Sequence, residues 1–432
     1  MNHGINFKNK KVLVMGLGLH GGGLGTVKWL YKQGAKVTVT DLKTEKELAT
    51  SLKKLKYLGG IVYHLGGHYN SDFSTCDFVV KGPGVPVNSE YLKTSRKNKI
   101  PIITDINIFL ANLPRNVKII GVTGTKGKST IATLIAKILE QKYKTHLAGN
   151  IRKPVLEILP KIKIGDFVVL ELSSFQLEDI ADLKYRFPVA VLTSLFPDHL
   201  NRHKTFAAYK RAKEIIFKHQ KNGDLLVTNG DDLNVRRLAK SAKGRVMYVK
   251  EENFEKNAAI AIGKFFVVPV HKIKSTIENF RGLAGRLEEI RELNGVIFIN
   301  DTTATNPGAA IYGIKFVHKK YPNKKLVVIA GGADKDLEVG ELVTSLKKFA
   351  QSVVLLPGSA TNRILKDARR NKRWLKAKGM PEAVREAYQL FRHRKSEDGG
   401  IILLSPGAAS FGLFLHEFDR GDKFNATVKK LK

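Results

Sequence analysis

The stretch KIIGVTGTKGKST, residues 118–130, decides the fold of the middle of this chain. Residues 117–122 are apolar and predict a buried β-strand, and apolar residues at helical spacing predict a helix after the glycines. One face of that helix would carry Ile131, Leu134, Ile135, Ile138 and Leu139. A strand, a glycine-rich turn and a helix in this order are the structural context of a phosphate-binding loop.

The residues of this turn have the chemistry that a triphosphate requires. Gly124 and Gly127 allow successive backbone N–H groups to point into one concavity, and the helix N-terminus adds partial positive charge. Lys128 is placed to reach the β- and γ-phosphates, and the Ser129 hydroxyl to bind Mg²⁺. Val122 stands where the common pattern has its first glycine. The turn predicts a site for a nucleoside triphosphate.

The size and composition of the chain indicate a globular protein of two or three domains. It has 432 residues, more than one hydrophobic core usually supports, and 43% of them are apolar. No apolar run is as long as a membrane span, the N-terminus lacks the apolar core of a signal peptide, and Cys76 is the one cysteine. We therefore expect a cytoplasmic protein without membrane insertion.

The net charge of +35 raises the possibility of nucleic-acid binding. The lysines are scattered, however, and the densest basic cluster, residues 369–373, is short and has only Trp374 as an adjacent aromatic. We interpret the charge as a solvated basic surface that attracts small anions, and we expect no nucleic-acid partner.

The first segment carries a second glycine-rich turn. A strand over residues 11–15 leads into GLGLHG at 16–21, and a second strand ends at Asp41, about twenty residues beyond the glycines. The glycines allow a phosphate to approach closely, and Asp41 is placed for a ribose hydroxyl. This pattern predicts a dinucleotide-type, Rossmann-like domain.

Apolar strands that end in polar or glycine loops continue to the C-terminus, with helices between them. The alternation predicts an α/β fold of three domains, with boundaries at 1–113, 114–283 and 284–432. The first would be Rossmann-like, the central one would hold the phosphate-binding loop, and the last would again be Rossmann-like. In such sheets ligands bind at the carboxyl ends of the strands.

Several polar residues follow those strands. Glu171 and His199 are suitable ligands for a divalent ion in addition to Ser129, although alone they would be a surface acid and a structural histidine. Lys213 lies on a predicted helix over residues 206–220, where a solvated lysine is the ordinary interpretation. Arg286, Asp301 and Lys335 would meet phosphate, ribose or a substrate carboxylate if the third domain closes over the second.

Together these motifs resemble the Mur ligase family, and within it the members that add glutamate. The motifs occur in the family's order over nearly the whole chain: GTKGKST at 124–130, ELSSFQLE at 171–178, DHLNRH at 198–203, NDTTATN at 300–306, GGADK at 331–335, LSPGAASF at 404–411 and FDRG at 418–421. The resemblance implies an ATP-dependent ligase that adds D-glutamate to UDP-N-acetylmuramoyl-L-alanine through an acyl phosphate. It also implies a monomer that uses ATP and Mg²⁺.

The resemblance also implies a role for individual residues. In the first domain, the UDP substrate would be held by Leu17, Gly18, Leu19, His20, Asp41, Gly82, Pro83 and Gly84. ATP would be held by Gly124, Thr125, Lys126, Gly127, Lys128, Ser129, Thr130, Asn257, Arg286 and Asp301, with Asn253 the weaker alternative to Asn257 for the adenine. The metal ligands would be Ser129, Glu171, His199 and Lys213, the last as a carbamate, and Lys128, His199 and Lys213 would be catalytic. Glutamate would contact Thr305, Lys335, Ser410 and Phe411.

The sequence departs from the family pattern at four positions, three of them within these motifs. Lys126 replaces an asparagine, Asn201 replaces an aspartate, and Thr303 replaces a lysine. Gly285 stands where a histidine precedes Arg286. Because Lys128, Glu171, His199 and Lys213 are all present, we expect an active enzyme.

Three other interpretations stay open at this point. The first glycine-rich turn suits a nicotinamide-dependent oxidoreductase, but that function leaves residues 118–130 unexplained. A basic ATPase acting on nucleic acid would use the phosphate-binding loop without glutamate. A sister ligase that adds another amino acid, or a folate-glutamate ligase, would share most of the motifs.

Overall fold

The computed structural model describes residues 4–18, 21–151, 153–250, 252–334, 336–368, 374–392 and 399–432. Within those residues the strands form three sheets, each covered by helices, which confirms the predicted α/β class with three domains. The helices bury their apolar faces against the sheets. The expected face of the helix after the phosphate-binding loop, from Ile131 to Leu139, is entirely buried.

The first sheet is parallel, with the strand order β3-β2-β1-β4-β5. Its strands are β1 (Lys11–Met15), β2 (Lys36–Asp41), β3 (Val62–Leu65), β4 (Phe78–Lys81) and β5 (Ile102–Ile103). Its helices are α1 (Gly22–Lys32), α2 (Glu45–Lys53), α3 (Asp72–Thr75), α4 (Glu90–Lys97) and α5 (Asp105–Ala111). This order places the turns after β1 and β4 side by side, where a doubly wound sheet binds its ligand.

The second sheet is also parallel, with the order β11-β10-β9-β6-β8-β7. Its strands are β6 (Lys118–Thr123), β7 (Thr145–Gly149), β8 (Phe167–Glu171), β9 (Val189–Leu192), β10 (Leu225–Asn229) and β11 (Arg245–Val249). Its helices are α6 (Lys128–Leu139), α7 (Val155–Ile158), α8 (Ser174–Asp179), α9 (Leu200–His203), α10 (Phe206–Lys218), α11 (Leu233–Ala239), α12 (Phe254–Phe265) and α13 (Val270–Glu278). Because β6 lies between β8 and β9, the phosphate-binding loop emerges at the centre of the sheet.

The third sheet has the order β12-β13-β17-β14-β15-β16, and only the β12–β13 pair is antiparallel. Its strands are β12 (Glu288–Leu293), β13 (Val296–Asn300), β14 (Lys325–Ala330), β15 (Ser352–Leu355), β16 (Trp374–Lys376) and β17 (Gly400–Leu404). Its helices are α14 (Pro307–Lys320), α15 (Gly340–Phe349), α16 (Ser359–Ala368), α17 (Met380–Arg392) and α18 (Glu417–Lys430).

The chain divides into two compact units. One comprises Met1–Phe196 with Arg202–Phe280 and holds the first two sheets; the other comprises Pro197–Asn201 with Arg281–Lys432 and holds the third. The boundaries at 113/114 and 283/284 stay predictions. None of the helices in the described part of the chain is both long enough and apolar enough to span a membrane.

One strand is shorter than predicted. The sequence predicts a strand over residues 190–195, but β9 ends at Leu192. The following residues hydrogen-bond to the phosphate-binding loop instead, because Thr125 N donates to Ser194 O at 2.8 Å. The apolar pattern records burial, which continues past the point where the sheet ends.

Candidate active site

The loop between β6 and α6 takes its shape from two glycines. Gly124 has φ +147° and Gly127 has φ +86°, and Gly127 caps the N-terminus of α6. A Cβ atom on Gly124 would lie 1.8 Å from Thr193 Oγ1 and 3.0 Å from Ser194 N. The loop is thus packed against the residues that follow β9, and its backbone N–H groups lead directly into the helix N-terminus, which favours an anion.

Two lysine amines converge on one carbonyl of this loop. Lys128 Nζ donates to Gly124 O at 2.9 Å and to Thr125 O at 3.0 Å. Lys213 Nζ, from α10, donates to the same Gly124 O at 2.7 Å and lies 4.7 Å from the centre of the Tyr209 ring. Lys213 is 1% exposed, so the interpretation as a solvated lysine is wrong. Lys128 thus places a cationic group at the loop, where charge on a transferring phosphoryl group would be stabilised.

Glu171, the last residue of β8, is buried beside the loop. Its register partner on β6 is Val122. Glu171 is 1% exposed, which excludes the interpretation as a surface acid. Asn150 Nδ2 donates to Glu171 Oε1 at 3.1 Å, whereas Oε2 is buried and has no hydrogen-bond partner among the described residues. A buried carboxylate oxygen with spare acceptor capacity suits a hard cation. The buried Ser129 hydroxyl at the start of α6 offers a second oxygen ligand.

A threonine connects these elements. Thr123 Oγ1 donates to Leu172 O at 2.8 Å and accepts from Lys213 Nζ at 3.4 Å. The network joins the end of β6, the residue after Glu171, and α10. The structure therefore brings together the loop, Glu171 and Lys213, as the motif order implied.

Lys126 is held through its main chain. Its N–H donates to Ser194 Oγ at 3.1 Å, and its carbonyl accepts from the Thr193 hydroxyl. These contacts do not depend on the side-chain type, so the replacement of asparagine leaves the loop's backbone anchored.

In the first sheet, Asp41 organises the turn after β1. Its carboxylate accepts from Gly18 N at 3.0 Å and from Lys43 N at 2.9 Å. Leu17 is buried, and Gly82, after β4, donates to Met15 O at 2.8 Å, so the two turns lie side by side. Leu19 and His20 lie outside the described residues, and the contacts of this region with a nucleotide stay predictions.

His199 belongs to the second compact unit, in the segment Pro197–Asn201. It has φ +54°, and its Nε2 lies 3.6 Å from Asp198 Oδ2. Asn306 Nδ2 donates to the same oxygen, Asp198 Oδ2, at 3.1 Å. The role of His199 as a metal ligand stays a prediction. No group of three or more histidine, cysteine, aspartate or glutamate side chains suited to a metal occurs in the parts of the chain described above.

The remaining predicted residues lie around the third sheet and on α12. Asp301 is buried after β13 and accepts from Ser405 Oγ at 3.2 Å, Ser410 is buried, Phe411 is exposed and Thr305 is half-buried. Arg286 lies just before β12 and is half-buried. Asn257 is exposed on α12, and its side chain donates to Glu252 O at 3.1 Å. Lys335 lies outside the described residues.

Gly285 has a local explanation. It has φ +68°, and a Cβ there would lie 2.7 Å from Thr302 Cγ2. A histidine at this position would need both the backbone and Thr302 to move. The departure from the family pattern is thus matched to its neighbour in the fold.

Sequence reasoning missed Asn150, which orients Glu171. It follows β7 directly, so the rule that polar residues at strand ends form the site applied to it. Its signal was weak because Asn is also common in ordinary turns.

Models of three families match the chain in the order of the sheets. The Mur ligase MurD-like N-terminal domain matches residues 10–104, the Mur ligase middle domain residues 122–279, and the Mur ligase glutamate ligase domain residues 285–407. The fold and the loop define a nucleotide-dependent α/β enzyme, and the chain belongs to the Mur ligase family.

Individual relatives agree along nearly their whole length. The chain is 36% identical to UDP-N-acetylmuramoylalanine–D-glutamate ligase of Roseiflexus sp. strain RS-1, covering 97% of this chain and 98% of the relative. It is 33% identical to the ligase of the same name from Clostridioides difficile strain 630, covering 99% and 100%. The crystal structure of UDP-N-acetylmuramate-alanine ligase MurC from Thermotoga maritima shares the fold with a TM-score of 0.62 at 18% identity, covering 98% of this chain and 100% of that one.

Proposed function

We propose that this chain is an ATP-dependent ligase that adds D-glutamate to UDP-N-acetylmuramoyl-L-alanine in the synthesis of peptidoglycan precursors. The observation that carries the proposal is the near-full-length identity to ligases of that name, in a chain whose two lysine amines meet at a phosphate-binding loop. The Mur ligase family is ATP-dependent, and the loop has the strand, turn and helix that ATP requires.

The reaction would proceed in two steps. A carboxylate oxygen of the substrate's alanine attacks the γ-phosphorus of ATP, ADP leaves, and an acyl phosphate forms. The glutamate amine then attacks the acyl carbon, phosphate leaves, and the amine gives up a proton as the amide forms. The loop N–H groups and Lys128 would stabilise the charge that develops on the phosphoryl group.

We also propose that Mg²⁺ binds at this site, because the residues fit the ion. Ser129 and Glu171 would supply oxygen ligands, and Glu171 Oε2 is buried with no hydrogen-bond partner in the described parts of the chain. Mg²⁺ prefers one or two protein oxygens together with substrate phosphates and water. When bound, it would neutralise phosphate charge.

The further roles stay proposals of the same kind. Lys213 as a carbamate would present an anionic oxygen to the metal, and His199 would hold a second ion. Thr305, Lys335, Ser410 and Phe411 would bind glutamate, and Arg286, Asp301 and Asn257 would contact ATP. A monomer in the cytoplasm is the expected state.

The test is phosphate release from ATP with UDP-N-acetylmuramoyl-L-alanine and a panel of D- and L-amino acids. We expect release with D-glutamate, dependent on both the sugar nucleotide and Mg²⁺. Release with L-lysine or another amino acid instead would move the chain to a sister ligase. Release stimulated by DNA or RNA without glutamate would refute the ligase function.

A further inference from the structure

A buried ion pair connects the turn after β4 with the helix after Glu171. Lys81 Nζ lies 2.7 Å from Asp179 Oδ1, and the two side chains are 4% and 3% exposed. Lys81 immediately precedes Gly82, Pro83 and Gly84, and Asp179 is the last residue of α8. Both belong to the same compact unit.

The helix that carries Asp179 is fixed at both ends. Its N-terminus is capped by Ser173, two residues after Glu171, and the Ser173 hydroxyl accepts from Gln176 N. At its C-terminus, Asp179 O accepts from Asn107 Nδ2 of α5 at 3.2 Å. Because α8 is held at both ends independently of Lys81, loss of the pair would displace the turn after β4 and leave the strand end that holds Glu171 in place.

A second cation reinforces the same connection. Arg202 Nη1 donates to Pro83 O at 2.7 Å, and Nη2 donates to Val85 O at 3.2 Å. Its guanidinium lies 4.0 Å from the centre of the Phe175 ring on α8. The turn after β4 is thus bound to α8 once by the Lys81–Asp179 pair and once through Arg202.

The pair's distinctive effect is geometric. Two apolar side chains of similar size usually stabilise a fold at least as well as a buried ion pair. An ion pair, however, has its favourable energy at one separation and in one arrangement, whereas apolar contacts tolerate sliding. Burial raises the pKa of Asp179 and Lys81 opposes this, which agrees with a carboxylate held inside protein by its partner.

We infer that Lys81 and Asp179 are positioning residues, which fix the Gly82–Pro83–Gly84 turn relative to the Glu171 strand end and so set the affinity for the sugar-nucleotide substrate. The inference rests on the proposed function for the identity of that substrate. It does not require either side chain to touch the substrate. ATP binds at the loop after β6, so its affinity should not depend on the pair.

The test compares Lys81→Met, Asp179→Asn and the double variant Lys81→Met/Asp179→Leu. Each is titrated separately with UDP-N-acetylmuramoyl-L-alanine and with ATP by calorimetry, and KM is measured for both. We expect the dissociation constant and KM of the sugar nucleotide to rise roughly ten- to hundredfold, as displacement of a positioned group does. The values for ATP should stay within about twofold, the ordinary scatter between similar contacts.

The double variant keeps the experiment decisive if a single variant unfolds, because it removes both members of the pair and leaves neither without the other. Lys93→Met is the matched control: the Lys93–Glu90 pair is also 2.7 Å long and lies in the same segment, but the side chains are 60% and 80% exposed. A folded double variant that binds the sugar nucleotide as the wild type does would overturn the inference. Wild-type protein that binds no sugar nucleotide would instead refute the proposed function.

Discussion

Gly124→Ala tests whether the phosphate-binding loop depends on a conformation that only glycine adopts. Gly124 has φ +147°, where an L side chain is strained by about 1–3 kcal/mol. The added methyl would also lie 1.8 Å from Thr193 Oγ1 and 2.9 Å from Thr193 Cβ, so either the loop or the residues after β9 must move. Such overpacking costs about 1–3 kcal/mol more.

The matched control is Gly165→Ala, because Gly165 has φ +84° and open space where its Cβ would lie. The control measures backbone strain, and the excess in Gly124→Ala measures the clash. We expect Gly124→Ala to melt about 2–12 °C below the control, from about 2–4 °C per kcal/mol for a large domain. Thr193→Ala in the same chain should restore only part of this, because the contact at 2.9 Å to Cβ and that at 3.0 Å to Ser194 N persist.

We expect Gly124→Ala to impair ATP binding more than it impairs thermal stability. A moved Gly124 carbonyl takes with it the acceptor of both Lys128 and Lys213, so ATP affinity should fall at least about tenfold while Gly165→Ala binds normally. Scanning calorimetry and ATP titration measure the two effects. If Gly124→Ala has the same melting temperature as Gly165→Ala and binds ATP as tightly as the wild type, the steric reasoning is refuted.

Four further substitutions test the site and its surroundings. Lys128→Ala should lower kcat by about 10²–10³ because the phosphoryl group loses a cationic partner, and turnover near the wild-type value would contradict its role. Lys213→Ala should lose most activity without rescue by bicarbonate, measured by ADP release, whereas full activity would remove the carbamate proposal. Glu171→Gln should raise the melting temperature of the metal-free protein, because it replaces a buried carboxylate whose Oε2 has no hydrogen-bond partner among the described residues. It should also abolish the stabilisation by Mg²⁺ with ATP. A lower melting temperature of the metal-free variant would contradict the first expectation. Burial, and to a smaller extent the Asp179 carboxylate, raises the pKa of Asp105 from 3.8 to about 6. The folded protein therefore holds the Asp105 proton more tightly than the unfolded chain does. The stability that results is present below pH 3.8 and is lost as the pH rises through 6. At pH 8, Asp105→Asn should therefore unfold at a higher urea concentration than the wild type. Its free energy of unfolding should be higher by at most about 3 kcal/mol, and by less because the residue is partly solvent-accessible. The two proteins should differ little near pH 4, and equal unfolding curves at pH 8 would refute the shift.

Much of the fold could be predicted because it depends on local pattern. The sequence pattern of apolar runs that end in glycine or polar residues matches the strands of the three sheets. The same rule made Glu171 a candidate ligand, beside the alternative of a surface acid. The end of β9 could not be predicted, because Thr193 and Leu195 stay buried after the sheet ends, where the chain packs against a loop, and burial looks the same in both cases.

The site was less accessible to sequence reasoning wherever side chains from distant segments meet. Lys213 is one of many lysines on a helix, and only the family resemblance selected it; nothing local shows that its amine reaches Gly124. Asp41 was expected to face a ribose, yet both its carboxylate oxygens accept backbone hydrogen bonds from its own turn and the neighbouring one. The Lys81–Asp179 pair joins the end of a strand in the first sheet to a helix that packs on the second sheet. Residues so far apart in the sequence show no local pattern that would predict the contact.

The shared acceptor at Gly124 has a consequence for how nucleotide enters and leaves. Lys128 donates to two carbonyls of its own loop and so holds the loop in shape, and little ordering entropy is lost when nucleotide binds. Nucleotide binding is then an exchange, in which a phosphate oxygen takes the place of a peptide oxygen as the partner of the ammonium group. The gain is the difference between the two contacts. When the γ-phosphoryl group has been transferred, the peptide oxygen can reclaim the ammonium, and the loop itself competes with ADP for its own lysine.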